Sequence, residues 1–254
     1  MSNRIFAGLF GIFLLITMGG CGEGSGGGTS GDSLSSDGTA GSMARFALVG
    51  DYLYTISGSA LQLYDIEEPS SPNPWVKMYL DWDIETLFPY EDYLLVGSES
   101  GVHILDNSTP GSPRYITEFS HARSCDPVVA ENGIGYVTLS SGSSCRTRGL
   151  NQLDVLDLSD ITKPKLIRTY PMQEPKGLAI DGKWLFVCDG SAGLKVFDVT
   201  QPNALSVADK HPSLDCFDVI AKDNRLYVSV ENSLVQFSYE TMPMTRLSEW
   251  VVGG

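Results

Sequence analysis

From residue 43 onward, apolar residues come in short runs that alternate with polar ones and are broken by Gly, Asp, Asn or Pro. No stretch there keeps the 3.6-residue period of a helix. The pattern also repeats along the chain. FALVGDYLYTISGSALQLYDIEEPSSP begins at Phe46, LLVGSESGVHILDNSTPGSP at Leu94, and IGYVTLSS, leading to LDVLDLSDITKP, at Ile134. LAIDGKWLFVCDGSAGLKVFDVTQP begins at Leu178 and DVIAKDNRLYVSVENSLVQFSYETMP at Asp218. An aspartate marks the register at Asp65, Asp106, Asp157 and Asp198, with Ser238 in the fifth copy. Each unit reads as four strands: one ahead of a Gly/Asp/Asn turn, a Leu-Tyr-Val type strand, a Leu-x-Val-x-Asp strand after a second turn, and one following the prolines. Four strands in roughly 40–45 residues is the arithmetic of a propeller blade.

The expected fold is therefore all-β, a five-bladed propeller over residues 43–254 with blades at about 43–83, 84–125, 126–175, 176–216 and 217–254. The repeating aspartate has a mechanical role, since its carboxylate can cap backbone N–H groups as the strand turns, and the prolines stop further pairing. Face-to-face blades bury both sides of the inner strands, which explains apolar runs such as Trp184-Leu185-Phe186-Val187. Contact between the first and last blades is expected to close the ring and remove most exposed edges. One copy carries an insertion, Ser140 to Gln152.

The pattern G-x-(Y/W)-(L/A)-(Y/F)-V followed by G-L-x-V-x-D-(V/I/L)-(S/T)-x-P-x-x-P resembles the LVIVD repeat of bacterial surface and secreted propellers. It is strongest in the second and fourth units, and the fifth departs with Ser238 and Met242. The resemblance implies an architecture and no shared catalytic chemistry.

The first 42 residues differ in kind. Arg4 precedes an uncharged stretch, Ile5 to Met18, that is shorter than the roughly 20 residues of a membrane-spanning helix. Met18-Gly19-Gly20-Cys21 resembles a bacterial lipobox, with Met18 where Leu is usual. The resemblance implies a signal peptide over 1–20, cleavage before Cys21 and lipidation of that cysteine. Gly22 in place of an aspartate favours the outer membrane in a Gram-negative cell. Residues 22–42 contain 14 Gly or Ser among 21, a composition that cannot offset its own ordering entropy. Residues 21–42 thus read as a lipidated tether, with a root-mean-square span of roughly 25 Å.

Charge and composition then narrow the function. With 31 Asp and Glu against 17 Lys and Arg, the formal net charge of −14 excludes the basic patch that nucleic acid requires. The 3 histidines leave little for a histidine-built metal site. His103 reads as a packed strand residue, and His121 and His211 have no partner histidine nearby in sequence. Nucleophile elbow, zincin, phosphate-loop and EF-hand motifs are absent from the sequence, so no catalytic residue, metal or cofactor is assigned. Asp181-Gly182 and Asp189-Gly190 read as turns.

Setting Cys21 aside, four cysteines remain in an exported chain: Cys125, Cys145, Cys188 and Cys216, which allow three pairings. Repeat alignment favours Cys125–Cys145 and Cys188–Cys216, each spanning adjoining connections on one face. The connections leading to the inner strands also supply Asp83, Glu85, Asp126, Glu174, Asp215 and Asp218, expected to ring the channel mouth as a ligand or cation site beside Arg45, Arg123 and Lys176. The insertion carries Arg146 and Arg148, a partner-binding loop in an otherwise acidic molecule. Together these features predict a monomeric, lipid-anchored binding or scaffold module at the cell envelope, with a protein or glycan as ligand. The competing expectation is a glycoside-active enzyme using two carboxylates of the mouth.

Overall fold

The computed structural model describes residues 41–80, 84–121, 127–141 and 150–252. Twenty strands fall into five four-stranded antiparallel sheets, each running in chain order from its inner to its outer strand. Blade one is β1 (Phe46–Val49), β2 (Tyr52–Ser57), β3 (Ala60–Asp65) and β4 (Asn73–Tyr79). Blade two is β5 (Ile84–Tyr90), β6 (Tyr93–Ser98), β7 (Gly101–Asp106) and β8 (Arg114–Ser120). Blade three is β9 (Val128–Glu131), β10 (Ile134–Leu139), β11 (Gln152–Asp157) and β12 (Lys165–Pro171). Blade four is β13 (Leu178–Asp181), β14 (Trp184–Cys188), β15 (Leu194–Asp198) and β16 (Ser206–His211). Blade five is β17 (Cys216–Lys222), β18 (Arg225–Val230), β19 (Ser233–Ser238) and β20 (Thr245–Val251). The expected five-bladed propeller is the observed fold.

The register aspartates act as their spacing implies. Each ends the third strand of its blade and accepts the N–H two residues on: Glu67 to Asp65, Ser108 to Asp106, Ser159 to Asp157 and Thr200 to Asp198, all at 2.9 Å. Ser238 makes the weaker version, 3.5 Å from the Glu240 N–H. Those hydrogen bonds hold the carboxyl of Asp106 down to about 2, where the Ser108 hydroxyl and N–H act first and Arg114 adds to them. A bulge recurs where the third and fourth strands pair in every blade, bending the outer strand away from the plane. The inner hairpins close through left-handed turns such as Asn132-Gly133 (φ 51° and 77°).

Four apolar clusters fill the spaces between blades one and two, two and three, three and four, and four and five. Polar ties accompany each. Tyr54 Oη accepts the Gly111 N–H and donates to Asn107, both at 2.9 Å, across the first junction. Tyr90 Oη accepts from Gly133 at 2.8 Å across the second, and Tyr170 Oη accepts from Leu205 at 2.7 Å across the third. Across the fourth, Tyr239 Oη donates to Asp181, and Met244 N–H donates to Asp209 at 2.7 Å.

The expected closure between blades five and one is not what the structure shows. Among the described residues no apolar cluster joins them, and no strand of blade five packs against blade one as the other neighbours pack. The second and third strands of blades two to four are buried on both faces, whereas those of blades one and five alternate. In blade one, Ala47, Tyr54 and Leu63 face blade two; on the other side Phe46 is 60% exposed and Leu48 50%. In blade five, Val219, Val228 and Val235 face blade four, and on the other side Leu234 is 38% exposed and Trp250 46%. The physical reason lies in the side chains of the end blades. Thr55 of blade one stands where the central blades place Val96, Val137 and Val187, and Gln236 of blade five stands where they place Ile104, Val155 and Val196.

Among the described residues, 41–43 reach across this seam. The end of the expected tether, Gly41 and Ser42, is buried within the body. Ser42 Oγ accepts the Leu178 N–H at 2.8 Å and donates to Asp218 at 3.5 Å. Small residues are required here, because a Cβ on Gly41 would lie 1.9 Å from Asp218 Oδ2 and one on Gly177 2.0 Å from Oδ1.

Candidate functional site

The connections expected to share one face do so, and they come together most closely between blades four and five. Cys188, ending β14, is disulfide-bonded to Cys216, opening β17, with Cα atoms 5.3 Å apart. The expected partner pair, Cys125 and Cys145, lies outside the described residues, as do Cys21, Asp83, Asp126, Arg123, Arg146 and Arg148.

Beside the disulfide lies an open groove of about 760 Å³ whose lining includes Glu174, Lys176, Asp215, Phe217, Arg246 and Glu249. Lys176 Nζ is 3.4 Å from Asp215 and 4.5 Å from the centroid of the Phe217 ring. Arg246 pairs with Glu249 at 2.5 Å, and Ser233 Oγ donates to the same carboxylate at 2.6 Å. Phe217 is 43% exposed because the register of β17 against β18 shifts between Cys216 and Asp218. The extra residue turns its ring outward while Cys216 and Val219 both stay in the core. Glu85 occupies the equivalent bulge of blade two, between Ile84 and Thr86.

Of the six expected mouth carboxylates, Glu174 and Asp215 line this groove. Asp218 does not join them. It is shielded from water against Gly41 and Gly177, where it accepts the N–H groups of Met43 and Val219 and the Ser42 hydroxyl. Burial is the dominant effect and raises its carboxyl to about 6. Glu85 lies in another blade. Among the described residues no three Asp, Glu, His or Cys side chains are placed to hold a metal ion.

Asp189 has a larger part than a turn residue. Fully buried, it accepts the N–H groups of Gln173 and Glu174 at 2.8 and 2.9 Å and pairs with Lys195. It thereby fixes the connection that carries Glu174 and Lys176. The same connection is tied to the stems of the inserted loop. Asn151 Oδ1 accepts the Ser141 N–H at 2.9 Å, and its Nδ2 donates to the Gln173 carbonyl at 2.5 Å. A hydrogen-bonded chain thus runs from insertion to groove. The sequence clue to Asp189 was a charged residue directly after a buried strand, with a lysine six positions on. For Phe217 it was two core residues three apart in a strand, Cys216 and Val219, which period-two alternation forbids without a bulge.

Residues 149–171 and 175–210, the outer half of blade three and nearly all of blade four, match the family model described as the LVIVD repeat. These segments are LVIVD repeats. No curated protein matches the chain. Solved propeller structures resemble it at low identity. A functionally unknown protein from Desulfotomaculum acetoxidans is 11% identical with a TM-score of 0.65, over 88% of this chain and 75% of that one. The periplasmic gluconolactonase of Pseudomonas aeruginosa is 12% identical with a TM-score of 0.62, over 80% and 68%. The computationally designed Ika8 protein is 12% identical with a TM-score of 0.60 over 82% of this chain, which spans 61% of that protein's length. These likenesses are of fold.

Proposed function

We propose that the LVIVD propeller is a binding module of the bacterial cell envelope, held by a lipid on Cys21, and that the groove between blades four and five is where it takes a protein or glycan. The observation that carries this reading is the groove itself: an outward-turned Phe217 with a cation against its ring, flanked by ion pairs and set on a connection fixed by Asp189 and a disulfide. Rigid framing reduces the entropy lost on binding, and an exposed aromatic beside charges is the composition of an interaction hot spot. The reading extends to the insertion that carries Arg146 and Arg148, and it is supported by the stem residues Ser141 and Asn151, which are tied to the groove's connection at Gln173.

The test compares the full chain with a Phe217→Ala, Lys176→Ala variant for retention of solubilised envelope protein and of purified peptidoglycan. Phe217 is exposed and Lys176 is partly buried with its ammonium paired to the exposed Asp215, so the variant should melt within a few degrees of the parent. Loss of retention by at least tenfold is expected. Equal retention of the same components by both proteins would refute the groove as the binding surface.

A further inference from the structure

The groove beside the Cys188–Cys216 bridge has a floor and a rim of different chemistry. Leu214 and Val230, both half-buried, carry the apolar cluster between blades four and five out to the surface, and the exposed Phe217 ring lines the same groove. Around them the described lining holds four carboxylates, Glu174, Asp215, Glu231 and Glu249, against two cations, Lys176 and Arg246. Both cations are engaged within the groove, Lys176 with Asp215 at 3.4 Å and Arg246 with Glu249 at 2.5 Å. Glu174 and Glu231 are exposed, and among the described residues neither carboxylate has an ion pair or a hydrogen bond. The aspartates that cap turns spend their oxygens on the fold; these two glutamates do not.

An apolar floor beside two uncompensated negative charges is matched by one kind of occupant. An anionic ligand would meet like charges, with Lys176 and Arg246 already paired. A sugar lies best on flat aromatic faces, whereas Leu214 and Val230 present branched aliphatic surface that its hydroxyls would have to cover without partners. A polyamine would answer the carboxylates and leave the floor bare. A peptide carrying both basic and apolar side chains satisfies the whole lining: the apolar ones cover Leu214, Phe217 and Val230, and Lys or Arg reaches Glu174 and Glu231. We infer that the groove receives a peptide segment of a partner protein in which basic and apolar residues alternate, an inference that rests on the groove being the binding surface proposed above.

The experiment is fluorescence anisotropy of the full chain with three labelled ten-residue peptides, in which Lys, Ser or Glu alternates with Leu and Ala. The Lys peptide should bind about tenfold more tightly than the Ser peptide, with the Glu peptide weakest. Glu174→Gln combined with Glu231→Gln should bring the Lys peptide close to the Ser peptide. Glu67→Gln combined with Glu68→Gln removes the same charge from the exposed turn after β3 and should change nothing. Glu174 and Glu231 are exposed and unpaired, so their double variant should keep the parental melting temperature. Phe217→Ala should weaken the Lys and Ser peptides alike. Failure of the Lys peptide to bind would overturn the inference, as would binding that both double variants lower equally, since the attraction would then belong to the whole acidic chain. Preference for the Glu peptide would overturn it in favour of the arginines of the insertion. Lys and Ser peptides bound equally, and both released by Phe217→Ala, would overturn the basic partner and leave the groove as the binding surface. A Lys peptide indifferent to Phe217→Ala would overturn both.

Discussion

Asp218 gives the sharpest prediction. Its carboxyl titrates at about 6 in the folded chain because burial outweighs the hydrogen bonds from Val219, Met43 and Ser42, and it titrates near 4 once unfolded. A carboxyl raised by folding stabilises the fold in its protonated form. That contribution is complete below about pH 4 and is lost as the pH rises through 6. Between pH 4.5 and 7.5 the linkage amounts to about 2 kcal/mol. Asp218→Asn removes the titration and keeps an oxygen that can accept the Met43 and Val219 N–H groups. Urea unfolding of both proteins at half-unit steps of pH gives the stability of wild type minus variant, in which every other titrating group cancels. The depressed aspartates Asp106, Asp157, Asp160 and Asp198 act below about pH 4 and are common to both. The difference should fall by about 2 kcal/mol from pH 4.5 to 7.5, half of it lost by about pH 5.3 and the slope levelling off above about pH 6. A difference that stays flat, or that rises with pH, would show that Asp218 is solvated and that residues 41–43 do not seal it.

The Cys188–Cys216 bridge spans 28 residues, so replacing both cysteines by Ala should cost about 3–4 kcal/mol, read as a lower urea midpoint; an unchanged midpoint would mean the link does not form. Asp189→Ala leaves Lys195 and two backbone N–H groups unpaired and should cost about 3 kcal/mol, together with faster proteolysis around residues 172–176. Wild-type stability would show that the connection is held by other contacts. Cys21→Ala should move the protein out of the membrane fraction, and a processed form that still pellets after a carbonate wash would rule out the lipid as anchor.

The repeat was legible because a blade is a local object. Period-two alternation, the turn residues and the spacing from Asp65 to Ser238 depend on neighbours within about 40 residues, and each of these aspartates caps the turn its position implied. Even the open seam left a trace in the alternating YLYTIS and RLYVSV strands, against YLLVGS and WLFVC of the central blades, since a sheet covered on one face needs apolar residues only at every second position. Repeat alignment also placed Cys188 and Cys216 on one face, where they are bonded.

What the sequence could not decide were the relations between blades. Glu174, Asp215 and Asp218 align in the repeat, yet one bulge and two glycines send Asp218 inward against Ser42 while Asp215 stays at the groove beside Lys176. Gly41 and Ser42 carry the composition of a tether and become part of the body only because Asp218 and the Leu178 N–H, 177 and 136 residues away, offer them partners. Closure of the ring rests on the same kind of long-range fit. Local pattern sets which face of a strand is apolar, but whether a fifth face meets a first depends on the angle accumulated over four junctions and on the polar groups that contact would bury.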